Sequence, residues 1–195
     1  MKRISSVCVY AGSRLGRRPD YRLAAEALGR GLAERGMTLV YGGGNVGIMS
    51  AMADAALAAG GRVVGVIPRF LEEREIRRSD LTEQHTVATM HERKAKMAAL
   101  SQAFVVLPGG LGTLDETFEI LTWRQLRLHD HPILLVDLGG YWSHLLRQLE
   151  HGVAEGFVPD QQATRLFERH ETIEAVLHRL DTLAAPVRPD VLRRA

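Results

Sequence analysis

Arg93, Lys94 and Glu116 stand on either side of a stretch in which a short apolar run, Phe104 to Leu107, meets Pro108 and then three glycines, Gly109, Gly110 and Gly112. The apolar run reads as a buried strand. Proline cannot donate to a sheet ladder and stops it. Glycine lets the backbone turn tightly and approach a ligand, because no Cβ intervenes. Thr113 is expected to cap the helix that follows. Strand, glycine loop and helix N-terminus together make an anion site, since free amide N–H groups and the positive end of the helix dipole face the same point. A carboxylate one turn into that helix, Glu116, suits the dipole but repels a phosphate, so a second task is expected of it. Arg93 shares a helical face with Met90 and Met97. That spacing predicts partial burial, and a partly buried guanidinium needs an anionic or hydrogen-bonding partner. The plainer reading leaves Arg93 and Lys94 as solvated helix positions, Glu119 as an exposed carboxylate and Trp123 as core. His91, His129 and His131 show no metal-ligand spacing, and no Ser-His-Asp set with a nucleophile elbow is present.

The elements that must hold these residues alternate in type. Ile4 to Tyr10 reads as a strand ending in Ala11-Gly12-Ser13, and Pro19-Asp20 opens a helix that Gly36 ends. Met37 to Tyr41 is a second strand. It runs into Gly42-Gly43-Gly44-Asn45-Val46-Gly47, and an alanine-rich helix spans Met49 to Gly60. Arg62 to Ile67 is a third strand. Residues 69–82 are charged without a period, either a solvated loop or short helix, or a loop folding over a polar ligand. A helix from Thr89 to Leu100 precedes the Phe104 strand, and another runs from Thr113 to Arg127. Ile133 to Asp137 is a further strand before a Gly139-Gly140 turn. Helices follow at 141–155, near Pro159 and at 171–180. This alternation predicts an α/β fold: a Rossmann-like, doubly wound parallel sheet with helices on both faces. The expected organisation is a single domain over residues 1–183 with a tail at 184–195.

In such sheets ligands bind at the carboxyl ends of the strands. Three strands end in glycine-bearing loops, and these predict a crevice lined by Gly12, Ser13, Gly43, Gly44, Gly109 and Gly110. The run from Gly42 to Gly47 satisfies G-x-G-x-x-G, but it follows the second strand rather than the first. The acidic residue expected about 20 residues later is replaced by Arg62 and Val63. NAD binding is therefore disfavoured, and close helix–sheet packing is the plainer role of those glycines. With 195 residues, 25 basic against 23 acidic and a net charge of +2, the composition makes no case for nucleic acid. No run of 18 apolar residues suggests a membrane span, and no apolar leader suggests export. The one cysteine, Cys8, lies in an apolar run and reads as core, as expected of a cytoplasmic protein.

The stretches Met90-His91-Glu92-Arg93-Lys94 and Pro108-Gly109-Gly110-Leu111-Gly112-Thr113-Leu114-Asp115-Glu116 together resemble the Lonely Guy family. These are cytokinin riboside 5′-monophosphate phosphoribohydrolases, long mislabelled as lysine decarboxylases. The family pattern P-G-G-x-G-T-x-x-E is met at every fixed position, and Gly12-Ser13, Gly42 to Met49, Ile67-Pro68, Arg74-Glu75-Ile76 and Leu121-Thr122-Trp123 also match. Arg77-Arg78 departs from it, where Thr-Gly is common. The resemblance implies hydrolysis of the N-glycosidic bond of an N6-substituted adenosine 5′-monophosphate, or of AMP, without metal or organic cofactor. It implies Arg93 and Glu116 as catalytic residues. It implies that Glu75, Lys94, Gly110, Leu111, Gly112, Thr113, Leu114, Asp115 and Thr122 line the nucleotide site, and that the protein is a homodimer. A nucleotide or molybdenum-cofactor carrier of the same fold is the alternative. A lysine decarboxylase would need pyridoxal phosphate on a lysine, and the chain offers only Lys2, Lys94 and Lys96.

Overall fold

Seven parallel strands form one sheet in the order β4-β3-β2-β1-β5-β6-β7. The computed structural model describes residues 3–72, 78–159 and 166–185. The strands are β1 (Ser6–Tyr10), β2 (Thr38–Tyr41), β3 (Val63–Pro68), β4 (Glu83–Val87), β5 (Ala103–Val106), β6 (Ile133–Val136) and β7 (Glu168–His170). The helices among the described residues are α1 (Pro19–Glu34), α2 (Gly47–Ala58), α3 (Arg69–Glu72), α4 (Met90–Ala99), α5 (Leu111–Gln125), α6 (Ser143–Ala154) and α7 (Ile173–Thr182). This is the expected doubly wound architecture. β1 is central, and the winding runs outward from it on one side, then crosses to β5 and runs outward on the other. The sheet therefore has its switch point between β1 and β5, where loops diverge and leave a crevice.

Alternation within each strand divides the core. Val7, Val9, Leu39, Val63, Val105 and Val136 face one way, with Leu28 and Leu32 of α1, Met52 of α2 and Val176 of α7. Cys8, Tyr10, Val40, Val66, Phe104 and Leu135 face the other way, with Met97 of α4, Ile120 of α5 and Trp142 just before α6. Each fully buried large side chain contributes roughly 1.5–3 kcal/mol by leaving water, so the inner strands are the stiffest part of the frame.

Two strands lie where none was expected. β4 reads Glu-Gln-His-Thr-Val, and β7 reads Glu-Arg-His. Both are edge strands with a single sheet neighbour, which tolerates polar side chains and removes the apolar run that marks an inner strand. The charged region 69–82 resolves into α3, residues 73–77 outside the described set, and a stretch anchored by Arg78. That guanidinium is buried and reaches Asp80 Oδ1 at 2.8 Å and Asp54 Oδ1 of α2 at 2.6 Å. The hydrogen bonds to Asp80, working against the cost of burial, hold it above the ordinary arginine range. The helix expected near Pro159 is absent at Pro159 itself, and residues 160–165 lie outside the described set. No helix among the described residues is long and apolar enough to cross a membrane.

Candidate functional site

Gly12 N donates to Pro108 O at 3.1 Å, so the loops after β1 and β5 are joined across the switch point. The Gly12 and Gly109 backbones touch there, and a Cβ on Gly109 would overlap the Thr113 hydroxyl. Beyond this contact opens a cavity of about 580 Å³, lined by Gly12, Ser13, Gly109, Gly110, Leu111 and Gly112 among others. Its far wall carries Arg14, Leu15, Tyr21 and Tyr141, which sequence reasoning missed. Tyr141 was signalled only by its place after the Gly139-Gly140 turn. Its hydroxyl donates to the Gly109 carbonyl, and its ring meets Tyr21 edge-on with centroids 5.6 Å apart. The β6 end thus braces the glycine loop from outside.

α5 begins at Leu111, with Gly110 as its N-cap and no side chain capping it. Thr113 is inside the first turn and buried, not the cap. Its role is to fill the space under Gly109, which the missing glycine side chain leaves open. The first amides of an α-helix have no intrahelical partner. Uncapped, exposed and glycine-flanked, those of α5 are offered to whatever enters the cavity, with the dipole favouring an anion.

Arg93 is buried, at 6% exposure, as its methionine-flanked position predicts. Among the described residues, its guanidinium meets carbonyls and a thioether. Nε donates to Val66 O at 3.2 Å and Nη2 to Gly42 O at 3.2 Å, while Nη1 lies 3.8 Å from Met90 Sδ. Carbonyls at the ends of β2 and β3 supply the partial negative charge. Glu116, on α5, is also buried, at 8% exposure. Burial is the main force pushing up the pKa of the Cys8 thiol of β1; Glu116 pushes it further and Arg93 pulls it back. Glu116 also adds to the upward push that burial gives the Tyr10 phenol. The helices that carry Arg93 and Glu116, α4 and α5, pack on the same face of the sheet through Met97 and Ile120, and neither Arg93 nor Glu116 is among the residues lining the cavity.

Lys94 is not among the residues that line the cavity. Its Nζ lies 3.1 Å from Asp115 Oδ2 and 3.1 Å from Glu119 Oε1. Burial pushes the ammonium's pKa down, but the hydrogen bonds it donates to Asp115 and Glu119 overcome this and raise it. Lys94 and Asp115 thus tie α4 to α5, the helices that carry Arg93 and Glu116. Leu114 is partly buried against the core. Gly43 and Gly44 are buried and are not among the residues lining that cavity; Gly43 packs against β3. Thr122 is exposed, its hydroxyl donating to Phe118 O at 2.7 Å, about 16 Å along α5 from the helix start at 1.5 Å per residue. Glu75 lies outside the described residues. Among the described residues, no group of three or more His, Cys, Asp or Glu side chains could hold a metal ion.

The family model described as "possible lysine decarboxylase" matches residues 49–180. A probable cytokinin riboside 5′-monophosphate phosphoribohydrolase of Oryza sativa subsp. japonica is 44% identical over 184 residues, 94% of this chain and 74% of that protein. A cytokinin riboside 5′-monophosphate phosphoribohydrolase of Rhodococcoides fascians is 46% identical over 162 residues, 83% of this chain and 82% of that protein. Among solved structures, the molybdenum cofactor carrier protein of Chlamydomonas reinhardtii superposes with a TM-score of 0.68 at 18% identity, covering 92% of this chain and 96% of the carrier.

Proposed function

The chain belongs to the cytokinin riboside 5′-monophosphate phosphoribohydrolase family, and on that premise we propose that it hydrolyses the N-glycosidic bond of N6-substituted adenosine 5′-monophosphates, and of AMP itself. The products are the free base and ribose 5-phosphate. One observation carries the reading: the loop after β5 ends in an uncapped helix N-terminus that opens on a cavity, and the same helix carries the buried Glu116 one turn further in. The glycine loop would hold the 5′-phosphate and so place the sugar, using remote binding energy for orientation.

As the bond from the base nitrogen to C1′ breaks, positive charge develops on the ribose ring. Glu116 would stabilise that charge and take a proton from the attacking water. The water's oxygen ends on C1′. The bonding electrons leave with the base, which collects a proton. Arg93 would stabilise the negative charge developing on the base, or keep Glu116 ionised.

A homodimer belongs to the same proposal. If Thr122 lines a nucleotide site, as the resemblance implies, its distance from its own glycine loop favours a site in a second copy. The exposed Phe118 on α5 and Leu126 just after it are apolar side chains such a contact would cover. The buried Cys8, the only cysteine, suits a reducing cytoplasm.

A decarboxylase is not supported. A Schiff-base lysine must lose its proton, whereas Lys94 is held charged by two carboxylates. The carrier likeness, at 18% identity, speaks for the fold alone.

Incubating the purified protein with AMP and with isopentenyladenosine monophosphate, and following the free base by chromatography, tests the proposal. Base release with ribose 5-phosphate in equal amount is the expected result. Tight binding of either nucleotide without release of base would overturn it and favour a carrier.

A further inference from the structure

Among the described residues that line the switch-point cavity, Arg14 carries the only charged side chain. Everything else facing that space is backbone, hydroxyl, aromatic or aliphatic. Two neighbouring arginines are held differently. Arg18 pairs with Asp20 and lies over the Tyr21 ring, and Arg22 pairs with Glu26. Among the described residues, no carboxylate pairs with Arg14.

The backbone at Arg14 is nonetheless fixed. Gly47, the first residue of α2, has φ +61 and sits so close to the Ser13–Arg14 peptide that a Cβ there would overlap it. On the other side, Gly12 is joined to Pro108 O. The chain at Arg14 is thus clamped between the start of α2 and the glycine loop of β5, while the guanidinium is exposed at the cavity wall.

We propose that Arg14 is the residue that makes the enzyme require a 5′-phosphate, by meeting the second negative charge that the amide cradle leaves uncompensated. The inference deepens the hydrolase reading and rests on it. Backbone amides and a helix dipole carry partial charges and suit any anion. A guanidinium brings a full charge and two parallel donors that match two phosphate oxygens. The cradle therefore selects an anionic tail, and Arg14 sets how strongly a dianionic monophosphate is preferred over an uncharged nucleoside. Because the backbone is held by Gly47 and Gly12, only the side chain needs ordering when substrate arrives, which limits the entropy lost on binding.

The test compares AMP and adenosine as substrates for the wild type, Arg14→Ala and Arg14→Lys, with inorganic phosphate as inhibitor. In Arg14→Ala, KM for AMP is expected to rise about 10- to 100-fold, the range for losing hydrogen bonds to a charged group, with kcat nearly unchanged. The ratio of kcat/KM for AMP over adenosine should shrink by at least about tenfold, and inhibition by phosphate should weaken in parallel. Arg14→Lys should recover part of each. An unchanged KM for AMP, or equal losses on AMP and adenosine, would overturn the assignment. If even the wild type releases no adenine, the hydrolase reading fails separately. AMP affinity by calorimetry then decides the Arg14 assignment: equal affinity in wild type and Arg14→Ala overturns it, and a drop of about tenfold or more upholds it.

Discussion

The loop after β2 and the loop after β5 both consist mainly of glycine, yet a side chain has no room in the first and ample room at the open end of the second. A Cβ on Gly42 would overlap the Arg93 guanidinium, and Gly43, at φ +75, presses on β3. At Gly110 and Gly112 a Cβ would meet nothing within 4 Å. The first loop uses glycine so that protein can approach protein: it is the seat of Arg93. The second uses it so that something other than protein can approach. A glycine-rich stretch after a strand thus indicates close approach, and only the surroundings say what approaches.

The largest effect that sharpens this contrast is on chemistry. Glu116→Gln should lower turnover on AMP by on the order of 10²-fold or more, while AMP affinity by calorimetry stays within a few-fold. Undiminished turnover would leave the open loop a binding device and remove the carboxylate from the reaction.

A second effect comes from behind the open loop. His129 is buried and packs on Phe104 of β5 with ring centroids 5.6 Å apart. Burial is the main force lowering its pKa from 6.5 to about 4. The unfolded chain therefore takes up a proton first as the medium is acidified. Stability is full above pH 6.5 and falls as the pH drops towards 4, by up to about 3 kcal/mol at 1.36 kcal/mol per pH unit. Urea midpoints across that window measure it, and His129→Gln should flatten the profile. An equally steep slope in that variant would place the sensitivity elsewhere.

Gly42→Ala should cost about 1–3 kcal/mol of stability, the usual range for overpacking. It should also lower activity, since Arg93 must leave its carbonyls. A midpoint in urea equal to wild type would show that the first loop is as open as the second. The smallest effect is the most diagnostic. Gly112→Ala should leave stability unchanged or raise it by up to about 1 kcal/mol, because alanine favours helix. It should nevertheless raise KM for AMP. A higher melting temperature with unaltered KM would mean that nothing binds at that turn.

Much of this was legible in the residues. The apolar runs of β1, β2, β3, β5 and β6 and the helical spacing of α1 and α5 announce a doubly wound sheet. Met90 and Met97 announce the burial of Arg93. β4 and β7 were not legible, because edge strands with polar side chains carry no apolar signal. Thr113 looks like a cap because hydroxyls at helix starts usually are, but the helix begins two residues earlier and the hydroxyl is needed under Gly109. The partners of Lys94 were invisible for a different reason. Asp115 and Glu119 belong to another helix, and only the packing of α5 beside α4 brings them within reach. Tyr141 was similarly hidden, since nothing local says that a phenol after β6 will fasten the loop after β5.

One lysine facing two carboxylates has a consequence for how this protein tolerates change over generations. Either Asp115 or Glu119 can drift to a neutral residue and the bond between the two helices survives on the other. Lys94 has no such understudy: its loss strands both acids at once. Variation among descendants of this chain should therefore fall on the paired acids one at a time, and spare the single cation that serves them.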